Sequence, residues 1–134
     1  MLVSPQLCIY RHGPASSWLK DFLGHCSELE GCDPDKIKYI GYHYYTDGKT
    51  EDVSKELSDR AAAFYNAFGR KLWLTEMAVG FGQQGRTVQD QWMKKALPAL
   101  ERNDHVFRYT WFSSRNPVNA CPRLLPVVTN SRTE

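Results

Sequence analysis

A chain of 134 residues, with 42% hydrophobic and 24% charged side chains, is long enough for one domain with a core and too short for two. Its 17 basic and 15 acidic residues are scattered and leave a net charge of +2, which argues against a nucleic-acid partner. No apolar run reaches the length of a membrane span, and the N-terminus lacks the features of a signal peptide. We therefore expect an intracellular protein or a sequence whose true N-terminus is missing.

The four cysteines, Cys8, Cys26, Cys32 and Cys121, allow three pairings. Cys26 and Cys32 flank a short loop that a disulfide could close, and free buried thiols are the alternative. The spacing of the cysteines and histidines lacks the paired C-x-x-C pattern of structural zinc sites, so no metal is expected. The cysteines alone do not indicate whether the protein resides in an oxidising or a reducing compartment.

Apolar patterning predicts alternating strands and helices. The predicted strands are Leu2–Ser4, Ile37–Tyr45, Leu72–Glu76 and Val106–Ser113. The predicted helices are Ser16–Cys26, Glu51–Phe68 with Gly69 as its C-cap, and a third that begins at a Thr87 N-cap and is kinked by Pro98. The segment Gln6–Pro14 is predicted as a loop, and the residues after Ser114 as an irregular tail.

This order predicts an α/β fold with parallel strands joined by right-handed crossovers. Four such strands form either a small open sheet or half of an eight-stranded (β/α)8 TIM barrel. In the strand Ile37–Tyr45, alternation places Gly41, His43 and Tyr45 on one face and the neighbouring tyrosines on the other.

Glu76 is the first candidate for chemistry, because it lies at the carboxyl end of a buried strand, where α/β folds place their active sites. The alternative is a strand cap that faces water. The loop that follows, residues 80–85, matches the G-x-G-x-x-G pattern of dinucleotide-binding folds. The next predicted strand does not end in the acid that would hold a ribose, so we disfavour nucleotide binding.

Several segments together resemble glycoside hydrolase family 128, the β-1,3-glucanases related to the alkali-sensitive linkage protein. The matching segments are Leu2-Val3-Ser4-Pro5, the Trp18–Cys26 helix, Tyr42-His43-Tyr44-Tyr45, Trp73-Leu74-Thr75-Glu76, Ala96-Leu97-Pro98 and Tyr109-Thr110-Trp111-Phe112. They occur in the family's order, and the Trp-Leu-Thr-Glu segment is the most specific. The resemblance predicts a partial TIM-barrel domain over residues 1–115 and an irregular tail over 116–134.

The resemblance implies a retaining glycosidase that acts on β-1,3-glucan without a cofactor, with Glu76 as its nucleophile. In this correspondence with the family, the four predicted strands are the fifth to eighth strands of the barrel. The acid/base glutamate would lie in an N-terminal half that these residues do not contain, because no Asn-Glu-Pro segment of the family's kind occurs. The expected partner is a β-glucan polysaccharide or oligosaccharide, with no nucleic acid, membrane span or obligate protein partner. The family implies an extracellular or cell-wall location.

Three further residues are candidates for substrate binding. Tyr45 and His43 share a predicted face, and the Tyr45 hydroxyl could donate a hydrogen bond to Glu76; the alternative is a satisfied polar pair in the barrel core. Trp111, expected to point inward with Tyr109, could form a flat floor for a glucosyl ring, and its alternative is core packing.

For the whole chain, the alternatives are a non-catalytic glucan-binding or cell-wall-binding module and an inactive fragment of a truncated gene.

Overall fold

A computed structural model describes residues 2–8, 17–49, 51–79 and 85–112 of the chain. The strands are β1 (Leu2–Val3), β2 (Leu7–Cys8), β3 (Ile37–Thr46), β4 (Lys71–Val79) and β5 (Val106–Trp111). The helices are α1 (Ser17–Glu28), α2 (Val53–Phe68) and α3 (Arg86–Glu101), and a short 3-10 turn spans Pro34–Lys36. The predicted β/α alternation is confirmed over these ranges.

All strand pairs in the sheet are parallel, in the order β1-β3-β4-β5, with β2 also paired to β3. Because β4 occupies the other side of β3, β1 and β2 lie end to end along one edge and act as one interrupted strand. Pro5 stands at the interruption, where its missing N–H removes a ladder hydrogen bond. The prediction of loop from Gln6 is therefore wrong for Leu7–Cys8, since a two-residue strand carries no periodic signal.

The core lies between one face of the sheet and the helices. Tyr42 and Tyr44 of β3 are fully buried there, with the Tyr42 ring 4.7 Å from Phe64 of α2 and the Tyr44 ring 6.0 Å from Trp92 of α3. The alternate residues of β3, including His43 and Tyr45, belong to the opposite face, which we call the inner face. The predicted alternation along β3 is confirmed.

The predicted C-cap of α2 is confirmed, whereas α2 begins at Val53 and not at Glu51, and the start of α3 also differs from the prediction. The side chain of Asp52 accepts a hydrogen bond from the Lys55 N–H at 2.9 Å, and Gly69 adopts the left-handed conformation with φ of 64°. The prediction that Thr87 caps α3 is wrong. Gly85 is the N-cap, with no side-chain bond, and its carbonyl accepts directly from the backbone of the first turn, so the helix begins before Thr87.

Cys26 and Cys32 form a disulfide with their Cα atoms 5.2 Å apart, which confirms the loop disulfide among the pairings that the sequence left open. The Cys8 side chain, Cys121, most of the glycine-rich loop and the predicted tail at 116–134 lie outside the described residues. In the described part of the chain, no helix combines the length and the apolar character that a bilayer crossing requires.

Gly41 sets how closely the N-terminal segment approaches β3. Its N–H donates to the Ser4 hydroxyl at 3.0 Å, and the Ser4 N–H donates to the Tyr39 carbonyl at 2.9 Å. A Cβ atom added at Gly41 would lie 3.0 Å from the Ser4 carbonyl oxygen, 3.1 Å from Val3 Cγ1 and 3.2 Å from Gln6 Cγ. A glycine is therefore needed here for close backbone approach.

We expect Gly41→Ala to lower the free energy of unfolding by about 1–3 kcal/mol, because the added methyl group overpacks this contact. Urea denaturation followed by circular dichroism measures the change. Gly24→Ala is the matched control: a Cβ atom added at this position in α1 would meet only open space, and alanine is expected to stabilise the helix by about 0.5–1 kcal/mol. Equal stabilities for Gly41→Ala and the parent would show that the N-terminal segment is not held against β3.

Candidate active site

Glu76 reaches the inner face because β4 contains one extra residue beside β3. Tyr42 pairs with Leu74 and the next residue, His43, pairs with Glu76, so Thr75 has no partner of its own on β3. Strict alternation would have put Glu76 on the same side as Leu74, among the helices. The bulge reverses this, and β4 continues beyond Glu76 to Val79 rather than ending at the carboxylate.

Two side chains of β3 contact the Glu76 carboxylate. The Tyr45 hydroxyl donates a hydrogen bond to Glu76 Oε2, as the sequence predicted. His43 Nδ1 lies 3.4 Å from the same oxygen, and the side chains of His43 and Glu76 are 23% and 30% exposed. The carboxylate is therefore neither a fully solvated strand cap nor part of the core, and it lies at a partly open surface.

A further residue, Gln6, joins this group from the segment between β1 and β2. Its Oε1 contacts His43 Nε2 and accepts a hydrogen bond from Thr75 Oγ1 at 2.6 Å. Sequence reasoning missed Gln6, because it lies in a stretch predicted as a loop. No sequence signal places it beside β3, since the two-residue strand that follows carries no periodic pattern.

Trp111 does not join these residues, and the expectation that it points inward is wrong. It is 4% exposed and pairs in register with Met77, and its ring lies 5.9 Å from that of Trp92 on α3. Its neighbour Tyr109 also faces the helices, where its hydroxyl donates to Glu101. Because the register between β4 and β5 shifts, Trp111 lies on the same side of the sheet as Met77 and not on the side of Glu76.

Among the described residues, an exposed aromatic side chain near the site is Phe112, which the sequence did not single out. Its ring lies 6.0 Å from that of Tyr45 in an edge-on arrangement, and the residue is 42% exposed. Its backbone N–H donates to the Met77 carbonyl at 2.9 Å, which fixes the chain as it leaves β5. Phe112 thus offers an accessible aromatic surface beside Tyr45.

A polar group on the helix side supports the strand that carries His43 and Tyr45. Arg60 of α2 donates to the Tyr42 hydroxyl at 3.0 Å and to Glu56 Oε1 at 3.3 Å, and its guanidinium carbon lies 5.3 Å from the Tyr44 ring centre. Burial raises the pKa of the Tyr44 hydroxyl well above its ordinary value, and the nearby Glu56 carboxylate adds to the effect. The Tyr44 hydroxyl is therefore held in its neutral form.

Two acids that follow β3 have local structural partners. Asp47 Oδ1 accepts from the Lys49 N–H at 3.0 Å, and Asp47 Oδ2 lies 3.7 Å from Lys49 Nζ. Asp52 caps α2. Both acids therefore serve the local structure, one in a turn and the other at the start of a helix. Over residues 2–8, 17–49, 51–79 and 85–112, no group of three or more His, Cys, Asp or Glu side chains is arranged to hold a metal ion.

The sequence profile described as "Glycosyl hydrolase catalytic core" matches residues 1–129. The chain belongs to this glycosyl hydrolase family. Among curated proteins, none matches the chain. The comparison with solved structures concerns the fold.

The chain is similar to three solved endo-β-1,3-glucanases of glycoside hydrolase family 128. The subgroup II enzyme of Sorangium cellulosum is 31% identical with a TM-score of 0.67, over 86% of this chain and 44% of that one. The subgroup II enzyme of Pseudomonas viridiflava is 27% identical with a TM-score of 0.62, over 92% and 51%. The subgroup I enzyme of Amycolatopsis mediterranei, solved with laminaritriose, is 24% identical with a TM-score of 0.68, over 85% and 48%.

The chain therefore spans about half the length of the solved structures that it matches. The resemblance to family 128 is confirmed. The prediction of half a (β/α)8 barrel is also confirmed, since four parallel strand positions with their helices superimpose on about half of such chains.

The placement of Trp111 can be tested by replacing its side chain with alanine. We expect Trp111→Ala to lower the free energy of unfolding by about 3–5 kcal/mol, because it removes a large ring from the core beside Trp92. Phe112→Ala, at a 42% exposed position, is expected to change stability by less than about 1 kcal/mol. Chemical denaturation measures both. A small loss of stability in Trp111→Ala, together with loss of sugar binding, would restore the sequence interpretation of this residue.

Proposed function

We propose that this chain forms the nucleophile-bearing half of a retaining β-1,3-glucan hydrolase, with Glu76 as the nucleophile. The observation that carries the proposal is the carboxylate on the inner face of the sheet, which accepts a hydrogen bond from Tyr45 and lies next to His43. The solved relatives add support, since the Amycolatopsis mediterranei endo-β-1,3-glucanase has been determined with laminaritriose.

The contacts of Glu76 suit an attacking carboxylate. Within the described part of the chain, the contacts from Tyr45 and His43 both fall on Oε2, so Oε1 is the oxygen available for attack on an anomeric carbon. The hydrogen bond from Tyr45 stabilises the ionised carboxylate and orients its plane. At 30% exposure the carboxylate is accessible to a ligand.

Double displacement also needs a second carboxyl group about 5–5.5 Å from the nucleophile, first as an acid and then as a base. Asp47 and Asp52 are engaged in a turn and a helix cap, which makes them poor candidates. The proposal therefore assigns the acid/base to the remainder of the barrel, of which this chain spans about half.

For substrate binding, the proposal retains His43 and Tyr45 and replaces Trp111 by Phe112. Pyranose rings present apolar C–H faces that pack on aromatic side chains, and Phe112 is an accessible ring beside Tyr45. We propose a β-glucan polysaccharide or oligosaccharide as the partner, and an extracellular or cell-wall location. The Cys26–Cys32 disulfide supports that location, because disulfides persist in oxidising compartments.

The second candidate is a glucan-binding module without turnover. It is favoured by one observation, namely that among the described residues Glu76 is the carboxylate of this site, while Asp47 and Asp52 have structural roles. The two candidates differ in whether Glu76 can form a covalent bond to a sugar, and this difference can be measured without an acid/base.

We expect a 2-deoxy-2-fluoro-β-laminaribiosyl fluoride to label the chain on Glu76. The carboxylate forms a bond to the anomeric carbon as the C–F bond breaks, and fluoride leaves without protonation, so the step does not need a general acid. Mass spectrometry of the intact protein and of its peptides detects and locates the added glycosyl group. Glu76→Gln is expected to remain unlabelled, and Asp47→Asn, a nearby carboxylate variant, to be labelled like the parent.

Binding of laminaritriose, followed by NMR, provides the comparison. Binding by both the parent and Glu76→Gln, with no labelling of the parent, would contradict the enzyme and support the binding module. With laminarin itself, whose leaving group is an unactivated sugar hydroxyl, the chain alone is expected to turn over at no more than trace rates. Turnover comparable to that of an intact glucanase would contradict the assignment of the acid/base to the rest of the barrel.

A further inference from the structure

Gln6 lies where three parts of the sheet come together. It belongs to the segment between β1 and β2, and its side chain reaches across to His43 of β3 and Thr75 of β4. The segment itself is fixed against β3 by the buried Ser4 and by its close approach to Gly41. The backbone beneath Gln6 is therefore held independently of the amide side chain.

The hydrogen-bond chemistry at Gln6 determines where two protons lie. The amide oxygen Oε1 is an acceptor only, so both His43 Nε2 and Thr75 Oγ1 must donate to it. Thr75 Oγ1 also lies 3.3 Å from the Tyr42 carbonyl, which is longer than its 2.6 Å contact with Gln6. With its Nε2–H bound by Gln6, the His43 ring presents Nδ1 3.4 Å from Glu76 Oε2, and this contact is an ion pair only when Nδ1 also carries a proton.

The same oxygen also holds the bulge. Thr75 is the extra residue of β4, and its presence places Glu76 on the inner face. By accepting from Thr75 and from His43, one amide oxygen fixes both the residue that precedes Glu76 and the ring that contacts its carboxylate.

We propose that Gln6 is a positioning residue for Glu76, acting through the His43 ring and the Thr75 bulge. The inference rests on the proposed function of Glu76, although its geometric part concerns His43 alone. Such a role depends on the acceptor oxygen, whereas a merely structural role depends on the volume of the side chain. Two substitutions of similar size separate these properties: Gln6→Met keeps the volume without an acceptor, and Gln6→Glu keeps an accepting oxygen.

The first measurement is the position of the His43 proton, read from the ring nitrogen shifts in 15N NMR. We expect Nε2 of His43 to carry a proton in the parent and in Gln6→Glu, and to lose this fixed state in Gln6→Met. A parent protein in which Nε2 carries no proton would overturn the proposal. An unchanged spectrum in Gln6→Met would also overturn it.

The second measurement is the rate of labelling by the fluorosugar fluoride over a range of reagent concentrations. We expect Gln6→Met to lower the maximal labelling rate constant about tenfold or more, because small displacements of a reacting group cost large factors in rate. Gln6→Glu is expected to return to within about threefold of the parent, because the acceptor that orients the reacting group is restored. Half-saturating reagent concentrations and urea midpoints are expected to change little in either variant.

A Gln6→Met variant that is less stable but labels at the parent's rate would show a structural role and contradict the proposal. Failure of the parent to label at Glu76 would contradict the proposed function instead. In that case the NMR comparison still decides whether Gln6 fixes the His43 ring.

Discussion

The extra residue at Thr75 is the constraint on which the geometry of the site depends. Before it, Leu72 and Leu74 point toward the helices, and after it Met77 and Val79 do, so the apolar face of β4 changes from even to odd positions. A regular strand would have directed Glu76 into the helix layer. Placing a carboxylate there without a partner costs several kcal/mol. The bulge therefore keeps the helix-facing side of β4 apolar and also places the carboxylate on the inner face.

The central strand β3 joins the core to the site. Tyr42 and Tyr44 anchor it to α2 and α3, and Arg60 adds hydrogen bonds and ring contacts from the helix side. Because alternate residues belong to the same strand, this packing also fixes the backbone that carries the two inner-face side chains that contact Glu76. The stability of the helix layer and the precision of the site therefore have the same source.

The sheet also shows how the site relates to the rest of a barrel. Within the described residues, β5 pairs with β4 alone, and β1 and β2 pair only with β3, so both outer strands present edges of the kind that a closed barrel pairs. The chain spans about half of its solved relatives, and the proposed reaction needs a second carboxylate from the other half. The nucleophile side of the proposed chemistry is, in contrast, assembled within this chain.

The sequence by itself determined the features that depend on local chemistry. It determined the alternation of strands and helices, the Gly69 cap and the shared face of His43 and Tyr45, since each follows from periodicity or from conformational preference within a few residues. Tertiary structure decided the short strand at Leu7–Cys8, the placement of Gln6, and the burial of Trp111 while Phe112 lies exposed beside Tyr45. These depend on register and bulges between strands, and such pairing is fixed by contacts between distant segments that the local pattern does not contain.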